Sequence, residues 1–185
     1  MVKRLTLITG GARSGKSRFA IELARQRGGE AVLFVATAQP LDDEMRARIE
    51  KHRADRPRAW KTLEASRALA RALPENRARV VLVDCVTLWV SNILLECGDK
   101  AEAEMTREVD ELLAWYRDSK IELIIVTNEV GAGIVPERAL ARTYRDLLGA
   151  VNQKIAAAAD HVYLLVAGIG IEIKSPRRGR ARSRR

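Results

Sequence analysis

Short apolar runs alternate along this chain with segments in which apolar residues recur every three or four positions. Uninterrupted runs of Val, Ile and Leu are typical of strands buried on both faces of a parallel sheet. They predict strands at residues 5–9, 31–36, 79–84, 123–128 and 162–167, and a short antiparallel strand at 171–174 after a turn at 168–170. The helical spacing predicts helices at residues 17–27, 42–53, 64–73, 87–96, 101–117 and 137–159. This alternation predicts an α/β fold with a mostly parallel sheet flanked by helices.

A glycine-rich segment joins the first predicted strand to the first predicted helix. It reads Gly10-Gly11-Ala12-Arg13-Ser14-Gly15-Lys16-Ser17 and fits the P-loop pattern G-x-x-x-x-G-K-[ST]. Its backbone N–H groups and the helix N-terminus can bind phosphate. We expect Lys16 to reach the β- and γ-phosphates and the Ser17 hydroxyl to ligate Mg²⁺. The segment predicts a nucleoside-triphosphate site and narrows the fold to a P-loop NTPase (RecA-like) type.

The third predicted strand ends in an acid. Four apolar residues at 80–83 lead into Asp84, which is the Walker B pattern. Because ligands bind at the carboxyl ends of parallel strands, Asp84 is expected beside the P-loop as a second Mg²⁺ ligand. Any buried strand followed by an acidic turn residue has this pattern, so the interpretation depends on the P-loop.

The chain has two histidines. His161 precedes a predicted strand, and we expect a surface or loop-packing role for it. His52 lies near the end of the 42–53 helix, on the side that Met45 and Ile49 mark as buried. One interpretation is a helix-end histidine that interacts with the dipole. The other is a nucleophile toward phosphorus, since Lys51, Arg53 and Arg56 could bind a triphosphate beside it.

Composition and charge bound the class of protein. With 185 residues, 47% of them hydrophobic, one domain over residues 1–174 is expected. The net charge of +9 falls to +3 without the six arginines of residues 175–185, which we predict to be a basic, disordered tail. No membrane span or signal peptide is evident, so a cytoplasmic protein is expected. Cys85 and Cys97 are expected to be reduced.

The chain resembles the bifunctional adenosylcobinamide kinase/adenosylcobinamide-phosphate guanylyltransferase family of cobalamin biosynthesis. The likeness runs from residue 5 to 174, and the 127–136 run and the surroundings of His52 are its most particular parts. The similar segments are residues 9–17, 36–38, 42–45, 48–49, 52, 56–57, 60–64, 127–136, 151–153 and 156–160. The arginine-rich tail is not part of the family pattern.

The resemblance implies two reactions. A γ-phosphoryl group passes from ATP or GTP to the hydroxyl of adenosylcobinamide. GMP from GTP is then transferred to adenosylcobinamide phosphate, with release of pyrophosphate, giving adenosylcobinamide-GDP. The resemblance also implies that His52 carries GMP covalently and that the chain forms a homotrimer.

The nucleotide contacts of the family fall on named positions of this chain. Besides the P-loop residues Gly10, Gly11, Ala12, Arg13, Ser14, Gly15, Lys16 and Ser17, they are Thr37, Ala38, Gln39, Arg53, Ala54, Asp55, Arg56, Glu64 and Asp84. Where the family often has a second basic residue or histidine just before the nucleophile, this chain has Lys51. Since an imidazole must be neutral to attack phosphorus, we expect guanylylation to be lost at acidic pH.

Two other functions are compatible with parts of the sequence. A P-loop nucleic-acid-binding ATPase would use the basic tail and bind RNA or DNA in a salt-dependent way, although we consider nucleic acid an unlikely partner. A small-molecule kinase without guanylyltransferase activity would use the P-loop alone. Glu129, at the end of the fourth strand, is a candidate for orienting the corrinoid hydroxyl or for capping the loop that follows it.

Overall fold

Seven strands form a single sheet in the computed structural model of the chain, which describes residues 3–73 and 78–176. The strands are β1 (Leu5–Gly10), β2 (Val32–Ala36), β3 (Lys61–Glu64), β4 (Val80–Asp84), β5 (Glu122–Val126), β6 (His161–Val166) and β7 (Ile169–Lys174). The helices are α1 (Lys16–Gly28), α2 (Asp43–Ala54), α3 (Leu69–Ala72), α4 (Val86–Cys97), α5 (Ala101–Asp118) and α6 (Ala139–Ala158). A 3₁₀ turn (Gly98–Lys100) links α4 to α5.

The strand order is β3-β2-β4-β5-β1-β6-β7. Every neighbouring pair is parallel except β6 and β7, which are antiparallel. The predicted mostly parallel sheet with a short antiparallel C-terminal strand is therefore confirmed. Strand β1 lies two places from β4, with β5 between them, so the P-loop after β1 and Asp84 at the end of β4 share one edge of the sheet.

Most predicted elements begin and end within two residues of their expected positions. The helix predicted at 64–73 is the exception, because residues Lys61–Glu64 instead form the edge strand β3, paired in register with β2. Only Leu69–Ala72 is helical there. Ala68 has a left-handed φ of 49° and its N–H donates to Glu108 Oε2 at 2.6 Å, so a single helix does not continue through it. The Lys-Thr-Leu-Glu strand is mostly exposed and gives no apolar run to recognise.

The two faces of the sheet carry separate cores. On one face α1 packs through Ala20 and Ala24 against strand residues such as Phe34. On the other face, α3, α4, α5 and α6 cover the sheet with a larger cluster that includes Trp89. Helix α5 contributes Met105, Val109, Leu112 and Tyr116, which recur at helical spacing on its buried side.

Of the predicted tail at 175–185, residues 177–185 lie outside the described residues. Within the described part, no helix is both long enough and apolar enough to cross a membrane. Cys85 and Cys97 are both free thiols.

Candidate active site

The P-loop connects β1 to α1, and two of its three glycines, Gly10 and Gly15, occupy positions that disfavour a side chain. A Cβ on Gly10 would lie 2.4 Å from the Leu165 carbonyl oxygen of the neighbouring strand. Gly15, the N-cap of α1, has a φ of 92°, which is in the left-handed region. These glycines therefore allow the loop to form a tight turn, in which its N–H groups can point toward one bound phosphate.

Lys16 is buried within this loop. Its Nζ donates to the Gly11 carbonyl oxygen at 2.5 Å and lies 3.4 Å from Ser14 Oγ. Burial lowers the pKa of Lys16, and the carboxylate of Asp84 acts in the opposite direction. A bound triphosphate would exchange these loop contacts for phosphate oxygens, which stabilise the ammonium more strongly.

Asp84 lies at the end of β4, close to the side chain of Ser17. Burial raises the pKa of its carboxyl, while the neighbouring Ser17, His52, Arg56 and Lys16 side chains act to lower it. Mg²⁺ prefers hard oxygen ligands. The Asp84 carboxylate and the Ser17 hydroxyl would supply two of them, beside the phosphate oxygens of a nucleotide. Among the described residues there is no cluster of three or more His, Cys, Asp or Glu side chains that would bind a metal without a nucleotide.

Helix α2 carries His52 toward this carboxylate. Asp42 caps the helix by accepting a hydrogen bond from Met45 N–H at 2.7 Å. Met45, Ile49 and His52 form its shielded face, as the spacing predicts. None of the side chains from Asp43 to Ala54 is buried, however, so the face that Met45 and Ile49 mark is half-shielded and not buried as expected.

Arg56 follows α2 and lies over the Phe34 ring, with its Cζ 3.7 Å from the ring centroid. Its Nε is buried and has no hydrogen-bond partner among the residues that the structure describes. Burial lowers the pKa of Arg56, but a guanidinium remains charged at any physiological pH. A fixed cation with an unused donor beside Asp84 is suited to a phosphate group.

Three other predicted residues lie further from the P-loop along the same edge. Arg53 and Glu64 form an exposed ion pair at 2.6 Å. Asp55 is the exposed C-cap of α2, directly after Ala54. Together they line the side of the site formed by α2 and the edge strand β3.

Thr37 follows β2 and is fully buried. Its hydroxyl donates to the Cys85 carbonyl oxygen at 2.7 Å and accepts from the Cys85 N–H at 2.8 Å. The carbonyl oxygen of Thr37 accepts from Asn92 Nδ2 at 2.9 Å. Thr37 thus ties the end of β2 to the residue after Asp84, and the half-shielded Ala38 and Gln39 continue from this fixed point.

A group of hydrogen-bonded polar residues lies behind the site and was not predicted from the sequence. Asn152 on α6 accepts from Thr127 Oγ1 at 2.7 Å and donates to the Asn128 carbonyl oxygen at 3.0 Å. The Asn128 N–H donates to Thr87 Oγ1 at 2.9 Å, and the Glu129 N–H donates to the Gly10 carbonyl oxygen at 3.0 Å. The single clue in the sequence was that polar residues follow β5 directly.

The side chain of Glu129 contacts the backbone of its own loop. Its Oε1 accepts from the Gly131 N–H at 2.5 Å. This is the loop-capping arrangement, while the hydrogen bond between its N–H and Gly10 keeps the residue beside the P-loop. His161 is far from this edge, at the start of β6, with Nδ1 2.6 Å from Glu172 Oε1.

Comparison with known proteins identifies relatives of the whole chain. The sequence model of the family described as "Cobinamide kinase / cobinamide phosphate guanyltransferase" matches residues 6–173. The bifunctional adenosylcobalamin biosynthesis protein CobU of Escherichia coli K12 is 46% identical over 182 residues, which cover 92% of this chain and 99% of that protein. The corresponding protein CobP of Pseudomonas aeruginosa is 45% identical over 170 residues, covering 91% and 96%.

Among solved structures, the ATPase domain of G40P superposes with a TM-score of 0.51 at 13% identity. The match covers 88% of this chain and 69% of that one. At this identity the likeness concerns the fold alone, and it supports the P-loop ATPase architecture.

Proposed function

The chain belongs to the cobinamide kinase / cobinamide phosphate guanyltransferase family, and we propose that it carries out both reactions at the P-loop edge of its sheet. It phosphorylates adenosylcobinamide with a nucleoside triphosphate, ATP or GTP. It then transfers GMP from GTP to adenosylcobinamide phosphate through a guanylyl-histidine, giving adenosylcobinamide-GDP. The enzyme is a bifunctional transferase of cobalamin biosynthesis.

One observation carries this proposal. The side chain of His52 and Lys16 of the P-loop both act electrostatically on the carboxylate of Asp84, which places the three groups near one another. A nucleophile and a triphosphate-binding loop therefore face one acidic group.

In the kinase step, the P-loop residues bind the donor and Lys16 neutralises charge on its β- and γ-phosphates. The acceptor hydroxyl attacks the γ-phosphorus, the bond to the β-phosphate oxygen breaks, and the nucleoside diphosphate leaves. Ser17 and Asp84 would hold Mg²⁺, which supplies further charge neutralisation on the phosphates.

In the guanylyl step, a ring nitrogen of His52 attacks the α-phosphorus of GTP, and the bond to pyrophosphate breaks. Arg56 and Arg53 would bind phosphate oxygens on the α2 side. The further nucleotide contacts would be Thr37, Ala38, Gln39, Ala54, Asp55 and Glu64. A phosphate oxygen of adenosylcobinamide phosphate then attacks the same phosphorus, and the P–N bond breaks to restore the imidazole.

Labelling with α-³²P-GTP tests the proposal. The wild-type protein is expected to take up a label that is stable to base and labile to acid, and His52→Ala is expected to take up none. Phosphorylation of adenosylcobinamide without any label on the wild-type protein would leave a kinase and reject the guanylyltransferase.

The assembly is proposed to be a homotrimer in the cytoplasm. In support, the β6–β7 hairpin exposes aliphatic side chains on one face: Val166, Ile169, Ile171 and Ile173. Val166 pairs with Ile169, and Ile171 and Ile173 alternate with residues of the other face. A contiguous apolar face of this kind is typical of a surface that another subunit covers.

A further inference from the structure

Asn92 is a polar side chain on the buried, mostly apolar side of α4. Its exposed fraction is 9%. The buried residues of this helix are Val86, Thr87, Trp89, Val90, Asn92, Ile93 and Leu94. Burying an amide costs free energy unless its donors find partners, so the partners of Asn92 indicate what this amide does.

The amide of Asn92 joins the ends of two neighbouring strands. Its Nδ2 donates to the Thr37 carbonyl oxygen at 2.9 Å and to the Ser66 carbonyl oxygen at 3.1 Å. Because carbonyl oxygens only accept, these contacts use both protons of the amide nitrogen. The pairing of β2 with β3 ends at Ala36 and Glu64, directly before these residues. Asn92 therefore holds the two segments together where their pairing ends.

Glu108 of α5 holds the second of these segments at its other end. Its Oε2 accepts from the Ala68 N–H at 2.6 Å and from Trp89 Nε1 at 2.7 Å. The side chain of Glu108 is 1% exposed, and Arg67 Nη2 lies 3.4 Å from its Oε1. The backbone of residues 66–68 is thus tied to both α4 and α5, and through them to the larger core.

The segments that Asn92 holds lead to the residues beside α2. Glu64, two positions before Ser66, forms the 2.6 Å ion pair with Arg53, which follows His52 on α2. Since α2 has no buried side chain of its own, contacts such as this pair set where the helix lies. Asn92 therefore fixes the surface against which the helix of the proposed nucleophile rests.

We propose that Asn92 is a positioning residue for the guanylyl transfer. It acts through the backbones of Thr37 and Ser66, which place α2 and hence the imidazole of His52 for attack on the α-phosphorus. The inference rests on the proposed guanylyltransferase activity and adds a residue that controls it from the core. A shift of about 1 Å in a reacting group can cost about 100-fold in rate.

The effect is expected to be selective between the two reactions. The kinase step makes no use of His52, and the P-loop and Asp84 follow β1 and β4, which are joined to β5 along their length. The Thr37 hydroxyl, which holds the Cys85 peptide, is separate from the carbonyl that Asn92 binds. Loss of the Asn92 amide therefore leaves the kinase geometry in place.

Two variants of Asn92 test the proposal. Asn92→Leu removes both donors at a similar size, and Asn92→Asp turns an oxygen toward the two carbonyl oxygens. In both, the rate constant of His52 labelling by α-³²P-GTP is expected to fall about tenfold or more, and the kinase kcat by less than about twofold. Ile93→Val, which shortens a fully buried side chain of the same helix, is the control. It is expected to change neither rate by more than about twofold.

Hydrogen exchange measured by mass spectrometry gives a second readout that needs no activity. Peptides that contain residues 37–39 and 64–68 are expected to exchange faster in Asn92→Leu than in the wild type, and those of the P-loop at the same rate. Unchanged exchange in the first set would overturn the proposal.

The kinetic outcomes are equally definite. Unchanged labelling in both Asn92 variants would reject the positioning role, and equal losses in the two reactions would reduce Asn92 to a general structural role. A selective loss in Ile93→Val would do the same. A wild-type protein that takes up no label contradicts the proposed guanylyltransferase itself, and the exchange data then still decide whether Asn92 holds the two segments.

Discussion

The hydroxyl of Thr37 makes two hydrogen bonds with Cys85, donating to its carbonyl oxygen at 2.7 Å and accepting from its N–H at 2.8 Å. Thr37 is fully buried, and both hydrogen bonds are partly buried. The path of the chain beside Asp84 is therefore fixed by one side chain from the neighbouring strand.

Replacing Thr37 by valine keeps the shape and removes both hydrogen bonds. We expect Thr37→Val to lower the free energy of unfolding by about 1–3 kcal/mol, because two buried peptide groups lose their partner. Urea unfolding measures this, and Thr37→Ser is the control that keeps the hydroxyl. A valine variant as stable as the wild type would contradict the bracing role.

The carboxylate of Asp84 is expected to lower the free energy of unfolding. Burial raises its pKa above the ordinary value of 3.8, so the folded protein still binds a proton over a pH range in which the unfolded chain has released it. Stability therefore falls as pH rises through that range, and the cost persists at neutral pH.

Asp84→Asn is thus expected to be more stable than the wild type toward urea at pH 7. The difference should shrink as the pH is lowered toward 3.8. The same variant is expected to lose kinase activity by about 100-fold or more, since a group that stabilises charge at the reacting phosphates is removed. A variant that unfolds more easily at pH 7 would refute the unfavourable burial of this carboxylate.

Arg56 combines packing on Phe34 with a charge facing Asp84. Arg56→Met keeps an unbranched side chain on the ring and removes the charge. The KM for GTP in His52 labelling is expected to rise about tenfold, in the range of one lost charge-assisted hydrogen bond. Arg58→Met, an exposed arginine two residues away, is the control. Equal labelling by Arg56→Met and the wild type would exclude Arg56 from nucleotide binding.

Asn152 holds the corner after β5 through one accepted and one donated hydrogen bond. Asn152→Asp replaces the donor with an oxygen that faces the Asn128 carbonyl oxygen. We expect a loss of about 1–3 kcal/mol in stability together with a lower kinase kcat, because the Glu129 backbone beside Gly10 shifts. Thermal unfolding and kinase assays check this, with the exposed Gln153→Glu as control.

The apolar face of β7 predicts the oligomeric state. Changing both Ile171 and Ile173 to lysine is expected to convert a trimer into monomers, because charged side chains would be buried at the interface. Light scattering after size-exclusion chromatography gives the mass directly. Leu95→Lys changes an exposed leucine of α4 instead and serves as control. A wild-type monomer, or a double variant that stays trimeric, would rule out this face as the interface.

The sheet could be predicted from sequence because its strands are buried on both faces and so are apolar throughout. Edge strand β3 could not, since an exposed strand needs no apolar run and Glu64 looks like the start of a helix. The tight turn before β7 was expected one residue later than Ala167 and Gly168, where it forms.

The P-loop, Asp84 and the orientation of His52 follow from spacing and sheet topology. The role of Thr37 does not, because a threonine after a strand gives no sign of which peptide its hydroxyl will bind. The same holds for Asn152, which lies 24 residues from Asn128 and meets it only through the packing of α6. Contacts between distant segments are set by tertiary packing, and one sequence contains no local trace of them.

Helix α2 buries none of its side chains, while α1 on the same face of the sheet is anchored by Ala20 and Ala24. Most helical stability in proteins comes from packing, so detaching α2 costs far less than unfolding the sheet. The P-loop and the proposed nucleophile His52 therefore belong to elements of unequal rigidity: the P-loop leads into the packed helix α1, and His52 lies on α2. The guanylyl group that we propose for His52 would therefore be delivered by a local movement of α2, without any change in the sheet.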